Sequence, residues 1–177
     1  AIRALEAAGA VPVSLSACPL MHGTGLWLGV FAAHFVGGTA VTARNPHFDP
    51  DALWRLIAKE RVTSVAIVGD AFAKPMLAAL RRAAAAGTPY DVSSLKQISS
   101  SGVMFSTEVK RGLLEFADAM IVDTMGSTEG GMGAAVVSRA MPPGETARFM
   151  ASPTTKVFNE RDEEVQPGSD EIGMIAN

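Results

Sequence analysis

The stretch DPDALWRLIAKERVTSVAIV, from Asp49 to Val68, decides the fold class. Asp49 followed by a proline predicts a helix N-cap and a first helical residue, and the helix that they open runs to about Glu60. A β-branched, apolar strand from Thr63 to Val68 follows at once. A helix that leads directly into a buried strand is typical of βαβ units, in which crossover helices join parallel strands.

The same alternation continues on both sides of this stretch. The pattern predicts further helices over 26–35, 73–86 and 106–117, and further strands over 39–42, 95–99 and 119–123. Pro75 places the start of the regular part of the second helix near Lys74, because proline disrupts a helix interior. Ser106 is expected to cap the third helix. We therefore predict an α/β fold, with a largely parallel sheet covered by helices on both faces.

After Gly130 the pattern changes to short strand-like pieces that are separated by Pro-Gly turns, at 134–138, 155–158 and 171–176. Such pieces predict antiparallel strands. We expect an α/β subdomain over 1–131 and a β-rich continuation over 132–177. The charged segment 159–164 is expected to be a solvated hairpin tip rather than a binding element.

The composition excludes several classes of protein. Of the 177 residues, 48% are hydrophobic and 19% are charged. The chain therefore has enough apolar side chains to form a buried core, which excludes a disordered protein. Its 15 Lys and Arg against 18 Asp and Glu give a net charge of −3, without the basic stripe that nucleic-acid binding requires. Cys18 is the only cysteine, so no internal disulfide can form, and the three histidines lack zinc-ligand spacing. A reducing, cytoplasmic location without structural zinc fits these features, and a homodimer is left open.

A long uncharged run also raises the question of a membrane segment. No Asp, Glu, Lys or Arg occurs between Glu6 and Arg44. The segment 25–43 is close in length to the roughly 20 residues that a spanning helix needs. However, this segment contains His34 and a Gly-Gly pair, and no basic cluster precedes it. We therefore expect a buried helix followed by a buried strand, and no integral membrane segment.

Small and hydroxyl-bearing residues collect where the predicted strands end. Gly69-Asp70, the segment 99–102 and the segment 123–131 each follow a strand. Ligands of open parallel sheets bind at the carboxyl ends of the strands. Glycines, hydroxyls and the carboxylate of Glu129 suit a magnesium nucleotide, because glycine allows close backbone approach and carboxylates bind hard cations. Plain turns remain the alternative for such loops.

Four segments resemble those of one known family. DTMGSTEGG (123–131) resembles the adenine and acid motif of the adenylate-forming superfamily of acyl-CoA synthetases, adenylation domains and luciferases. PLMHGTGLWLG (19–29), ISSSGVMFS (98–106) and the segment 156–176 resemble further family segments, in the family's order. GDAFAKP (69–75) and SSSGVMFS are most similar to actinobacterial fatty-acid or steroid-side-chain CoA ligases.

The resemblance implies a reaction and a set of site residues. In these enzymes a carboxylate attacks the α-phosphate of ATP, and a thiol, usually that of coenzyme A, captures the acyl-adenylate. Thr128 would donate to the α-phosphate, and Glu129 would hold Mg²⁺ as pyrophosphate leaves. The implied nucleotide contacts are Ser101, Gly102, Val103, Asp123, Met125, Gly126, Ser127 and Thr128. The implied acyl-substrate contacts are His22, Trp27, Gly69, Ser101 and Gly126.

Two of these residues have a competing interpretation, and a third departs from the family pattern. His22 could border the reacting carboxylate, or it could be a structural histidine that caps the entry to a helix. Trp27 and Phe31 lie one helical turn apart, a spacing that favours core packing over a role in the acyl pocket. Met125 stands where relatives commonly carry an aromatic residue, so it offers adenine a polarizable contact instead of a stacking surface.

The resemblance also implies that the chain is an internal piece of a large N-terminal domain. The family's phosphate loop would precede residue 1, and its ribose-binding segment and C-terminal domain would follow residue 177. We therefore expect a parent ligase that acts on a carboxylic acid, ATP and CoA, and an isolated chain without activity. The alternatives are a non-catalytic nucleotide or acyl-binding module, an adenylation domain that loads a carrier protein, and an interaction domain whose glycine-rich loops are only turns.

Overall fold

The computed structural model of the chain describes residues 2–45, 47–127, 130–141, 146 and 148–176. Its strands are β1 (Val13–Ser16), β2 (Thr39–Val41), β3 (Ser64–Ile67), β4 (Gln97–Ser101), β5 (Met120–Ser127), β6 (Gly130–Val137), β7 (Met150–Ala151), β8 (Lys156–Phe158) and β9 (Met174–Ala176). Its helices are α1 (Ile2–Ala7), a π-helix (Thr24–Phe31) that continues into α2 (Ala32–His34), α3 (Pro50–Lys59), α4 (Gly69–Ala85) and α5 (Thr107–Phe116).

One mostly parallel sheet organises the described residues. Its strand order is β2-β1-β3-β4-β5-β6-β7. The strands β1 to β5 pair in parallel, whereas β6 and β7 pair antiparallel at one edge. The strands β8 and β9 form a separate antiparallel pair. These findings confirm the predicted α/β class and the antiparallel segments that follow the parallel sheet.

Helices cover both faces of this sheet, as predicted. Leu15 of β1 belongs to the hydrophobic core that residues of α3, α4 and α5 complete. The next residue, Ser16, points to the other face, since a Cβ on Gly29 of the π-helix would lie 2.6 Å from the Ser16 Cβ. The π-helix therefore packs on the face opposite to α3–α5.

The π-helix corrects the helix expected over 26–35. The element lies where the sequence predicts it but begins at Thr24 and has the wider π geometry before α2 begins. A Cβ on Gly25 would lie 2.4 Å from the Pro19 carbonyl oxygen. The helix therefore approaches the preceding backbone so closely that position 25 has no room for a side chain. Tertiary contact, rather than periodicity, sets the geometry of this helix.

The helix α3 confirms its sequence signal. The Asp49 Oδ1 accepts hydrogen bonds from the backbone N–H groups of Asp51 and Ala52, both at 3.0 Å, with proline at the first helical position. The apolar face of α3 buries Trp54 completely, and the indole Nε1 donates to the Met76 carbonyl at 2.9 Å. This side chain is the largest in the core.

The helix α4 corrects the start expected near Lys74. It begins at Gly69 and contains Pro75, whose missing N–H leaves one backbone carbonyl without its helical donor. Two bonds to neighbouring segments fix the early start. The Gly69 N–H donates to the Ser100 Oγ at 3.0 Å, and the Asp70 N–H donates to the Met104 carbonyl at 2.9 Å.

Ser106 occupies the N-cap position of α5 but does not cap with its side chain. Instead, its backbone N–H and its hydroxyl both donate to the Asp70 Oδ1, at 3.0 and 3.1 Å. Desolvation raises the pKa of the Asp70 carboxyl, but the hydrogen bonds from Ser106 and the ion pair with Lys74 outweigh it, so the pKa is lowered. The expected serine cap is thus replaced by a link between α4 and α5.

Several elements differ from the sequence prediction in extent or were not predicted. The strand β4 begins two residues later than expected, and β5 continues to Ser127. The elements α1, β1 and β7 were not predicted. Residues 160–164 are exposed, as expected for a solvated hairpin tip. Asn159, the first residue of the predicted tip, is instead buried, and its side-chain amide donates to the carboxylates of Glu163 and Glu171. None of the helices in the described part of the chain combines the length and apolarity needed to cross a membrane.

Candidate functional site

A cavity of about 450 Å³ opens where the ends of β4 and β5 meet the start of the π-helix. Seven of the residues that the sequence predicts for the site line it: His22, Trp27, Ser101, Gly102, Met125, Gly126 and Ser127. They come from three segments that are far apart in sequence. The parallel pairing of β4 with β5, in which Ser101 lies opposite Thr124, brings two of these segments together. The π-helix supplies the third.

Five predicted residues are not described as part of this lining. Gly69 is buried at the start of α4, where a Cβ would lie 2.4 Å from the Met104 carbonyl oxygen. Val103 is half-exposed but lies outside the lining, and Asp123 is buried. Thr128 and Glu129, which the sequence assigns to the α-phosphate and to Mg²⁺, lie outside the described residues.

The position of His22 agrees with both interpretations that the sequence left open, a structural cap at the helix entry and a place in the site. Its Nδ1 accepts the backbone N–H of Thr24 at 3.2 Å, at the first residue of the π-helix. The ring also lines the cavity, and its Cε1 lies 3.5 Å from the position of a Cβ on Gly102. Because Nδ1 accepts a hydrogen bond, the neutral ring carries its proton on Nε2. His22 therefore organises the helix entry and presents an oriented imidazole to the cavity.

Trp27 corrects the expectation of core packing. Its side chain is 51% exposed and lines the cavity. Its ring meets that of Phe31 edge-on, with 5.2 Å between the ring centroids. The one-turn spacing thus indicates a real aromatic contact, but this contact lies at the cavity wall rather than in the core.

Gly102 shapes the floor of the cavity. Its φ of +96° lies in a region that side chains rarely adopt. A Cβ here would also come into contact with His22 and Val68, at 3.5 Å from each. The glycine therefore lets the β4–α5 connection turn sharply beside the cavity.

Thr124 is a lining residue that the sequence reasoning missed. It projects into the cavity, and its hydroxyl donates to the Ser100 carbonyl at 3.0 Å. The signal was its place within the motif, between Asp123 and Met125. The hydroxyl bond ties the ends of β4 and β5 together beside the cavity.

The cavity offers hydroxyls, backbone groups and flat apolar surface. None of the described residues that line it is Asp, Glu, Lys or Arg. Among the residues that the structure describes, no group of three or more His, Cys, Asp or Glu could hold a metal ion. The chemistry of the described lining therefore fits the uncharged parts of a ligand.

A second, larger cavity of about 900 Å³ lies between the ends of β1 and β2 and the helix α3. Phe48 and Phe72 form part of its wall and meet edge-on at 4.6 Å. It contains none of the residues that the sequence predicts for the site. The smaller cavity is therefore the candidate site.

The family model described as "AMP-binding enzyme" matches residues 2–176 of the chain. This chain belongs to the AMP-binding enzyme family. It is 34% identical over 163 residues to a 3-oxocholest-4-en-26-oate–CoA ligase of Rhodococcus rhodochrous. It is 36% identical over 163 residues to a medium/long-chain-fatty-acid–CoA/3-oxocholest-4-en-26-oate–CoA ligase of Mycobacterium tuberculosis. Both matches cover 89% of this chain but only 28% of the relative.

Solved structures agree on the fold of this AMP-binding chain. A benzoate CoA ligase from Burkholderia xenovorans superposes with a TM-score of 0.69 at 24% identity, over 93% of this chain and 32% of that one. The adenylation domain of a keto acid-selecting nonribosomal peptide synthetase module superposes with a TM-score of 0.70 at 14% identity. That match covers 98% of this chain and 38% of the domain. The family model confirms the predicted family, and these superpositions confirm the predicted fold.

Proposed function

We propose that the chain is part of an ATP-dependent acyl-CoA synthetase. The enzyme activates a carboxylic acid as its acyl-adenylate and transfers the acyl group to coenzyme A. One observation carries the proposal: seven site residues, contributed by three family-like segments that are remote in sequence, line a single cavity at the carboxyl ends of parallel strands. The family membership supports the same reaction.

In this proposal the nucleotide lies along the ends of β4 and β5. Ser101 and Gly102 form one side of its binding surface, with Val103 at the rim, and Met125 to Ser127 form the other. The open floor at Gly102 suits adenine, because a flat ring can approach a backbone that carries no side chain. Met125 provides a polarizable contact to the ring.

The reacting carboxylate of the acid lies near His22 and Trp27, on the π-helix side of the cavity. Because the His22 Nδ1 accepts the Thr24 N–H, the neutral imidazole carries its proton on Nε2 and can donate it to a carboxylate oxygen. Trp27 offers an exposed aromatic face to an acyl chain. Gly69 acts indirectly, by allowing the β4–α5 connection to pack closely over the start of α4.

Charge neutralisation is assigned to Thr128 and Glu129. Thr128 donates to the α-phosphate, and Glu129 is the proposed ligand of Mg²⁺, which offsets the negative charge of the departing pyrophosphate. The relatives' names favour a fatty or steroid side-chain acid as the substrate class. Because the chain spans 28% of the length of these relatives, we expect catalysis to require the remaining length of the protein.

The complete protein tests this proposal by ATP–pyrophosphate exchange with a panel of fatty and steroid side-chain acids. We expect acid-dependent exchange, and a Glu129→Gln variant should lower its rate on the order of 10² or more without a change of melting temperature. The isolated 177-residue chain should give no exchange above a denatured control.

Three outcomes would contradict parts of the proposal. An unchanged rate for Glu129→Gln at saturating magnesium would remove Glu129 from the site. Nucleotide binding without exchange would favour a non-catalytic binding module. Exchange followed by acyl transfer to a carrier protein but not to CoA would favour an adenylation domain, the class to which one structural neighbour belongs.

A further inference from the structure

The larger cavity lies where the connections of two neighbouring strands separate. The five parallel strands have the order β2-β1-β3-β4-β5. From β1 the chain crosses to β2 through the π-helix, whereas from β3 it crosses to β4, on the other side, through α4 on the opposite face. In open parallel sheets, ligands bind in the crevice that such a reversal leaves at the carboxyl ends of the strands. The crevice between β1 and β3 is therefore a place to look for a ligand.

The cavity of about 900 Å³ is built from the two connections that separate there. Residues 17–20, which follow β1, form one part of its lining, and Phe72, in the first turn of α4 after β3, forms another. None of the described residues that line it also lines the candidate site. Its volume falls within the range of about 300 to 1,000 Å³ that is typical of small-molecule sites. The two cavities are thus separate spaces at one edge of the sheet.

The interior of the larger cavity is mainly apolar. Phe48 and Phe72, whose ring centroids are 4.6 Å apart, are joined in the lining by Val41, Leu53 and Leu56. Phe48 is 37% exposed, although it contacts a ring that packs against the core. An aliphatic chain in this cavity would cover apolar side-chain surface that water otherwise contacts, which favours binding.

Four of the described residues that line the cavity carry a charge, and three of these are already engaged. The Asp49 carboxylate accepts two backbone N–H groups of α3, and the Lys59 Nζ lies 3.0 Å from the Glu60 Oε1. Arg44 is exposed, and among the residues that the structure describes no carboxylate forms an ion pair with it. A guanidinium binds a carboxylate through two parallel hydrogen bonds. The cavity therefore combines an apolar interior with one available cation.

We propose that the larger cavity is a second ligand site, which binds an amphipathic carboxylate with its apolar chain against Phe48 and Phe72 and its carboxylate at Arg44. This site is separate from the site of adenylation, so the acid that it binds is not the reacting acid. The ligand binds there without being consumed.

The Cys18 thiol gives a readout that belongs to this cavity alone. Cys18 lines the larger cavity and not the candidate site, and it is 5% exposed. Decanoate bound in the complete protein should slow the alkylation of Cys18, which mass spectrometry of its peptide follows. Because burial raises the pKa of this thiol, mildly alkaline solution provides enough of the reactive thiolate. The dependence of the alkylation rate on decanoate concentration gives the dissociation constant at this cavity.

Two variants separate the charged head of the ligand from its apolar chain. Arg44→Gln should raise the dissociation constant of decanoate at this cavity about tenfold or more, and should not change that of decanol, its uncharged analogue. Phe48→Ala should weaken both ligands alike, because it removes apolar wall and leaves the cation. Arg55→Gln is the matched control, since Arg55 is an exposed arginine of α3 that does not line the cavity. It should change neither dissociation constant.

Three results would overturn the proposal. If decanoate gives Cys18 no protection, the cavity binds no such ligand in the complete protein. If decanol binds as tightly as decanoate, or if Arg44→Gln and Arg55→Gln have equal effects, Arg44 does not bind the carboxylate. If Arg44→Gln lowers kcat/KM for adenylation of decanoate, the cavity holds the reacting acid and is not a second site.

Failure of this inference can be distinguished from failure of the proposed function. A complete protein in which decanoate protects Cys18 but no acid is adenylated would support the second site and contradict the proposed function. A complete protein that adenylates decanoate while Cys18 stays unprotected would support the proposed function and overturn the second site.

Discussion

The two tryptophan-bearing helices of the chain use the same residue type in opposite ways. In α3, Trp54 is fully buried and its indole nitrogen donates to a backbone carbonyl. In the π-helix, Trp27 is half-exposed and lines the candidate site. The helix α3 has charged residues on one face and apolar residues on the other, so its sequence shows which side is buried. The π-helix, TGLWLGVF, has no charged face, and its sequence does not show which aromatic ring faces the cavity.

The two helices also begin differently. A side-chain cap from Asp49 fixes the start of α3, which is a local signal. At the π-helix the N-cap residue, Gly23, has no side chain to make such a bond. The His22 Nδ1 instead accepts the Thr24 N–H, and Gly25 packs closely against the Pro19 backbone. A strong capping signal thus determines the start of α3, whereas close backbone packing contributes to the start of the π-helix.

Trp54→Ala should have the largest effect of the substitutions that test this comparison. Loss of a fully buried tryptophan costs roughly 3 to 5 kcal/mol and lowers the melting temperature by many degrees. Denaturant unfolding of the complete protein measures it. A loss below about 1 kcal/mol would mean that Trp54 does not anchor the core and would remove the contrast with Trp27.

Gly25→Ala should have an intermediate effect. The new Cβ would lie 2.4 Å from the Pro19 carbonyl oxygen, and backbone cannot move aside as a flexible side chain can. Such overpacking costs about 1 to 3 kcal/mol. Gly23→Ala is the matched control, because its Cβ would meet only the Trp27 ring at an ordinary 3.7 Å. Equal unfolding free energies for the two variants would contradict a tightly packed helix entry.

This contrast explains how much of the fold the sequence could predict. The helix α3 and the strand β3 follow from a cap, an apolar face and a β-branched run, all of which act within a few residues. The early start of α4 depends on bonds to Ser100 and Met104, which lie far along the chain. The strand β1 has four residues, VSLS, and so gives too short a pattern to separate from its uncharged surroundings.

The sequence likewise predicted some features of the candidate site and missed others. The motifs and their order were sufficient to bring His22, Ser101 and Gly126 to one cavity, because parallel strands end at a common edge. The burial of Asp123 was not predicted, since it depends on Lys110, a residue thirteen positions earlier in a helix. Membership of a motif thus predicted proximity to the site but not which side chains reach the cavity.

Trp27→Ala should cost less stability than Trp54→Ala and should change specificity instead. Its side chain is half-exposed, so truncation loses about half of the burial that Trp54→Ala loses, with a further contribution from the edge-on contact to Phe31. Truncation enlarges the cavity on the π-helix side, so kcat/KM should shift toward longer or bulkier acids in a series of increasing acyl length. Trp54→Ala is the control, since a core variant lowers the melting temperature without reordering the acids. A Trp27→Ala variant that melts many degrees lower and keeps the wild-type order of acids would show that Trp27 supports the fold after all, and the two helices would then use their tryptophans alike.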